Sequence, residues 1–202
     1  MTKGPTIAIA AALLTIGLVM SACGRRGGED TDCPTLAHGG TTPSGYCVPR
    51  YLSLKRGEVF ARRGPGRDYP AAFVYHARGL PVQVVDETSD WRRICDPDGG
   101  LVWVSRAMVD GRRTVFAKGP RAIPLRRQPA DGSPAAAYLR PRAIAALGAA
   151  RGDWREVTVE GASGWVKASE VWGLSPAMQC DIRSSAPVTP LSPPPAPANA
   201  TP

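Results

Sequence analysis

The sequence predicts an all-β protein built from two small barrels in tandem. Three observations carry that expectation: an internal repeat, a hydrophobic period of two in short segments, and turn residues at intervals of roughly ten. The repeat is explicit. "SDWRRICDPDGGLVWVSRAMVDG" (89–111) has a counterpart in "GDWREVTVEGASGWVKASEVWG" (152–173). Asp90-Trp91-Arg92 recurs as Asp153-Trp154-Arg155, 63 positions on, and Trp103-Val104 recurs as Trp165-Val166, 62 positions on. Upstream, Arg62-Arg63 and Pro70 match Arg126-Arg127 and Pro134 at 64. The offset changes only at turn-like positions while the apolar positions between keep their spacing, which indicates two copies of one fold.

Each segment follows from its pattern. "LPVQVVDE" places Leu80, Val82 and Val84 on one face of a strand. "WRRIC" and "WREVTV" send Ile94, and Val157 with Val159, inward, and so send Trp91 and Trp154 to the other face. The Ala-rich "AYLRPRAIAALGAA" is split by Pro141 and aligns with strands of the first copy, so it reads as strand rather than helix. A single unit of about 60 residues is marginally stable, and two packed together share the burden.

The flanks read differently. "MTKGPTIAIAAALLTIGLVMSA" (1–22) carries one lysine and then an uncharged apolar run ending in small residues, the pattern of a secretory signal. "MSAC" resembles the lipobox of bacterial lipoproteins, with Met20 in place of the usual leucine, and implies lipid attachment at Cys23. Residues 23–50 form a linker with a possible disulfide loop. Residues 175–183 are an extension of the second barrel. "SSAPVTPLSPPPAPANATP" (184–202) has seven prolines and no charged or aromatic side chain, so it is expected to be a disordered tail. About residues 31–183 are left to fold.

Five cysteines become four once Cys23 carries lipid, and an even set in an oxidising compartment reads as disulfides. Cys33 and Cys47 bracket a Gly- and Pro-rich loop and are expected to pair, leaving Cys95 with Cys180; four cysteines allow three pairings. Parity along "WRRIC" puts Cys95 outside its own barrel, where Cys180, just after the second barrel, can meet it. Cys33, His38 and Cys47 lack a fourth ligand and the tight spacing of a zinc site, so no metal is expected.

The run from Val59 to Gly111 resembles a bacterial SH3-like domain of the tandem type found in the proteobacterial envelope. The marks are the turn formed by Arg62, Gly64, Pro65 and Gly66, then Tyr69-Pro70, "GLPV", Asp90-Trp91 and Trp103-Val104. The resemblance spans Tyr51 to Leu174, giving domains at 51–111 and 112–174. In the second copy "RRQPADGSP" replaces the Gly-Pro-Gly turn, and Ser133 replaces Tyr69. The resemblance implies non-catalytic domains that bind peptides or cell-wall material, with peptidoglycan or an envelope protein as partner. A purely structural envelope lipoprotein is the competing reading.

The residues point the same way. There are two histidines, His38 in the loop and His76 in an apolar segment read as strand, and no Cys-His pair, His-Glu-x-x-His motif or Gly-x-Ser-x-Gly elbow. Asp86-Glu87 at a strand end reads as solvated carboxylates. No catalytic residue and no cofactor is expected. Net charge is +8, from 25 Lys and Arg against 17 Asp and Glu. The paired arginines suit a solvated surface or contact with envelope polyanions, and an export signal removes access to nucleic acid. A ligand groove is expected from Tyr69, Trp91, Trp103 and Arg63 in the first copy. Trp91 with Trp103 also reads as a cross-strand aromatic pair holding the hairpin.

Overall fold

A computed structural model describes Met1 and residues 42–181. The signal segment, Cys23, Cys33, His38 and the tail after residue 183 lie outside the described residues. Two seven-stranded antiparallel sheets follow one another with the same topology. The first comprises β1 (Arg50–Leu54), β2 (Val59–Arg62), β3 (Ala71–Tyr75), β4 (Pro81–Glu87), β5 (Trp91–Cys95), β6 (Leu101–Ser105) and β7 (Val109–Asp110). The second comprises β8 (Thr114–Ala117), β9 (Ile123–Arg126), β10 (Ala135–Leu139), β11 (Ile144–Arg151), β12 (Trp154–Val159), β13 (Ala162–Lys167) and β14 (Val171–Trp172). The order β3-β2-β6-β5-β4-β1-β7 is repeated as β10-β9-β13-β12-β11-β8-β14. A single 3-10 turn precedes the closing strand of each barrel, Arg106–Met108 and Ala168–Glu170.

The alternating pattern builds the cores. Leu54, Val59, Ala61, Val82, Val84, Ile94, Val102 and Val104 fill the first barrel, all nearly or fully buried; Val115, Leu125, Leu139, Ala145, Val157 and Val166 fill the second. Pro141 does divide the Ala-rich run, between β10 and β11.

One strand departs from strict alternation. Leu80, Val82 and Val84 face the core as the period requires, yet Gln83 and Val85 on the other side of β4 are buried as well. The segment after β14 lies across that outer face, with Gln83 Nε2 donating to Ala177 O at 2.8 Å and Gln83 Oε1 accepting from Gln179 N at 2.8 Å. A disulfide fastens it there, joining Cys95 to Cys180 with Cα atoms 5.8 Å apart. Cys95 is fully buried although it points away from the barrel interior, because Cys180 and the segment carrying it cover it. Cys47 is also disulfide-bonded.

The second barrel joins the same cover. Phe116, Trp172 and Ile144 belong to the first barrel's apolar cluster, and Tyr51 meets Trp172 edge to face at 5.1 Å. Between the barrels, Thr114 Oγ1 donates to Gly79 O at 2.7 Å and lies 2.7 Å from Ser53 Oγ. The positions facing one another in β1 and β7 of the first copy are Ser53 and Asp110; their counterparts are Phe116 and Trp172. The two copies therefore diverge where one must present apolar surface to the other.

Candidate functional site: an aromatic face and two arginine clusters

The turn between β2 and β3 is the same backbone device in both copies. Arg62 Nη1 donates to Tyr69 O at 2.7 Å, and Arg63 N donates to Pro70 O at 3.2 Å. In the second copy Arg126 Nη1 donates to Ser133 O at 2.7 Å, and Arg127 N to Pro134 O at 3.0 Å. What the turn presents differs. The Tyr69 ring lies directly on the glycines, so a Cβ at Gly64 would stand 2.2 Å from Tyr69 Cδ1, and one at Gly66 would stand 3.2 Å from Cδ2. The Gly-Pro-Gly sequence is thus the seat of the tyrosine, which is 48% exposed. In the second copy the seat is filled: Gln128 and Ala130 replace the glycines, and Ser133 is buried, its Oγ accepting from Gln128 N at 2.9 Å.

Strand pairing carries this turn to the tryptophans. Arg62 stands opposite Trp103, and Trp103 opposite Arg93, forming a row across β2, β6 and β5 on the outer face. Arg62 and Arg93 are not among the groove residues expected from the sequence; their outward parity beside Trp103 is the signal that points to them. Arg63 lies just beyond the end of β2 and is exposed. Trp91 is paired with Ser105, which makes it a diagonal rather than a direct neighbour of Trp103. A directly opposed aromatic pair is therefore not what this register builds, and the second copy repeats the offset, with Trp154 opposite Lys167 and Glu156 opposite Trp165.

The tryptophans of the two copies have different surroundings. Lys167 Nζ lies 5.6 Å from the Trp154 ring centroid, and Arg151 Cζ lies 5.3 Å from that of Trp165, which is buried. Each is a cation–π contact made within the protein. The positions that correspond to Arg151 and Lys167 in the first copy are Thr88 and Ser105, both uncharged. Trp91 and Trp103 are both half-buried.

A second site lies at the far end of β4. Glu87, read above as solvated, is buried with no side-chain exposure. Its Oε1 accepts from Ser44 N at 3.0 Å and from the Ser44 hydroxyl; its Oε2 meets Arg50 Nη2 and, at 3.0 Å, Arg92 Nε. Burial alone would raise the pKa of this carboxyl, but the Ser44 hydrogen bonds and the Arg50 guanidinium outweigh it and hold the group below its ordinary value. Arg92 is buried too, while Arg93, on the opposite face of the strand, is half-buried. The reason is tertiary: residues 42–49 fold back over this strand end, and no local pattern announces that. His76 lies just past β3 and is exposed rather than within the strand.

Two further acid groups shape the first barrel. Asp96 is buried in the β5–β6 turn, where it accepts from Tyr75 Oη at 2.8 Å, Gly100 N at 2.7 Å and Asp98 N at 3.0 Å. Burial pushes its carboxyl up despite those donors, and burial followed by the Asp96 charge pushes the Tyr75 hydroxyl well above its usual range. At the junction of the barrels, an open hollow of about 370 Å³ is lined by Lys55, Arg56, Gly57, Arg78 and Arg112. Asp110 takes up Arg112 at 2.7 Å. The corresponding positions of the second copy are Lys118, Gly119, Pro120, Pro141 and Leu174, so the charge is not a requirement of the fold. Among the described residues, no group of three His, Cys, Asp or Glu side chains is placed to hold a metal ion.

Comparison with known proteins agrees with this architecture. The family model "Bacterial SH3 domain" matches residues 55–111 and again 119–173, together more than half of the chain, and the protein belongs to that family. Bacterial SH3 domains are generally cell-wall binding modules, typically non-catalytic, and their owners are usually extracytoplasmic envelope proteins. No curated protein matches the chain. Among solved structures, NlpC2 from Trichomonas vaginalis is similar at 10% identity and a TM-score of 0.28, over 62% of this chain and 48% of that one. NlpC1 from the same organism is similar at 9% identity and a TM-score of 0.28, over 65% and 48%. The matched region spans about half the length of each, and at that score the likeness carries no inference about activity.

Proposed function

We propose that the protein is exported, held at the membrane by lipid on Cys23, and acts as a non-catalytic binding or adaptor protein of the envelope. Its first SH3 barrel contacts peptidoglycan or an envelope protein through Tyr69, Trp91 and Trp103, with Arg62, Arg63 and Arg93 beside them. One observation carries this reading: Tyr69 is kept exposed on a glycine seat that the second copy lacks, its carbonyl held by Arg62, which stands opposite Trp103, and the counterparts of Trp91 and Trp103 make cation–π contacts with the protein's own Lys167 and Arg151. The Lys55, Arg56 and Arg78 hollow adds attraction toward anionic surfaces, screened by salt.

Purified wall sacculi test the reading. The Cys23→Ser protein is expected to be retained on sacculi in a salt-sensitive manner, whereas no retention at low ionic strength supports a purely structural lipoprotein. The anchor is tested separately. One acyl chain binds a membrane only marginally, so stable attachment requires the several chains of a bacterial lipoprotein. Mass spectrometry of the mature N-terminus is expected to show lipid on Cys23. An unmodified N-terminus elsewhere contradicts it.

A further inference from the structure

The Glu87 cluster has a counterpart in the second barrel that lacks only the carboxylate. By strand register Arg50, Glu87 and Arg92 of the first copy correspond to Arg113, Ala150 and Arg155 of the second. Arg92 is held by its Nη1, which donates to Thr88 O at 2.7 Å and Trp91 O at 3.0 Å, and this pose brings Nε to the Glu87 carboxylate. Arg155 is held the same way, Nη1 donating to Gly152 O at 2.6 Å and Trp154 O at 2.8 Å. Opposite it stands Ala150, which is exposed, where Glu87 is buried. The positioned guanidinium remains in the second copy while its internal acid is gone.

The surroundings of Arg155 are those of a binding groove. An open groove of about 580 Å³ runs past Arg155, Lys118 and Trp172 to Gln179. In the first copy the equivalent groove, about 710 Å³ and also open, is lined by Arg92 and Arg50 together with Ser44 and Tyr46 of the N-terminal segment, and there Glu87 already occupies both arginines. Glu170 also lines the groove of the second barrel, but its Oε2 accepts from Lys167 N at 3.0 Å and so serves the 3-10 turn. A guanidinium fixed through one nitrogen and offering its remaining edge suits a carboxylate, because the planar fork matches two oxygens and little side-chain freedom is left to lose.

From this geometry we infer that the second barrel binds the carboxylate of an external ligand, the C-terminal acid of a short peptide, at Arg155. The ligand acid takes the place that Glu87 fills in the first barrel, Lys118 adds a second positive charge, and Trp172 and Val171, both buried, form the wall of the groove beside it. This site lies apart from the Tyr69 face and stands whether or not that face binds wall material.

The test uses the full-length Cys23→Ser protein and two soluble probes, N-acetyl-alanyl-alanine and its C-terminal amide, followed by the NMR signals of the Arg155 Nε–H and the Trp172 indole. The acid is expected to shift both signals saturably, and the amide to bind roughly tenfold more weakly. Arg155→Gln is expected to remove the preference for the acid. Ala150→Glu supplies the internal carboxylate again, so it is expected to abolish acid binding while leaving the fold intact, as judged by spectral dispersion. Equal response to acid and amide, retention of the preference in Arg155→Gln, or undiminished acid binding in a folded Ala150→Glu protein each overturns the inference.

Discussion

The two barrels share strand order, closing turn and even the arginine-to-carbonyl hydrogen bond of the β2–β3 loop, yet they differ in what surrounds their shared tryptophans and in the faces they turn to one another. The first seats Tyr69 on glycines, buries Glu87 between two arginines and gathers cations at its junction with the second. The second fills the tyrosine seat, covers its tryptophans with Arg151 and Lys167, and turns Phe116 and Trp172 toward its neighbour. The copies share a scaffold and differ in the side chains that it presents.

The largest effect expected is at the staple. Cys95 and Cys180 are 85 residues apart in sequence, and on the chain-entropy account a loop of that length stabilises by about 4.6 kcal/mol. Its counterpart in the second barrel is an exposed Thr158–Ser163 hydrogen bond of 2.8 Å. Cys180→Ser is therefore expected to lower stability in denaturant titration by several kcal/mol, and Thr158→Ala by less than about 0.5 kcal/mol. Similar losses for the two variants would break the contrast. Non-reducing peptide mapping is expected to recover the Cys95–Cys180 link and, by the sequence reading, one between Cys33 and Cys47.

Next comes the buried acid. Removing one partner of a buried ion pair leaves the other charge without compensation, a loss of about 3–5 kcal/mol. Glu87→Gln is expected to fall at the low end of that range, because the amide still accepts from Ser44. The pH dependence gives its signature. The folded pKa of Glu87 is depressed, so its stabilisation is present above the unfolded pKa and is lost as pH falls through the folded one. Asp96 has the opposite sign: its raised pKa makes its contribution to stability fall as pH rises from the unfolded value through the folded one. Glu87→Gln should flatten the acid limb of the stability curve, and Asp96→Asn should remove the loss on the rising side.

A smaller effect sharpens the turn comparison. Gly64→Ala forces the Tyr69 ring off its seat and is expected to cost about 1–3 kcal/mol, a cost largely removed in the Tyr69→Ala background. Gln128→Ala, at the matching position of the second copy, is expected to be nearly neutral.

The scaffold was legible because its signals are local. Two-residue alternation, the turn at 62–70 and the recurrent Asp-Trp-Arg each act within a few residues of themselves. Parity also pointed Cys95 outward to where Cys180 arrives. What escaped the sequence was set by segments that come from elsewhere. Glu87 reads as a strand-end carboxylate until residues 42–49 cover it, Gln83 reads as solvent-facing until residues 175–180 lie across β4, and Phe116 gives no hint that it completes the neighbouring core. The diagonal placement of Trp91 and Trp103 was missed for a related reason, since parity gives the face of a side chain but not its partner across the ladder.

The most direct test of the claim that the first barrel carries the ligand face is the side-by-side retention of folded variants on purified sacculi. Truncating a central aromatic anchor removes far more binding energy than truncating a peripheral one, so Tyr69→Ala and Trp91→Ala are each expected to weaken retention at least roughly tenfold, while Trp154→Ala leaves it almost unchanged. If Trp154→Ala loses as much retention as Trp91→Ala, with both folded by circular dichroism, the assignment of the face to the first barrel is contradicted.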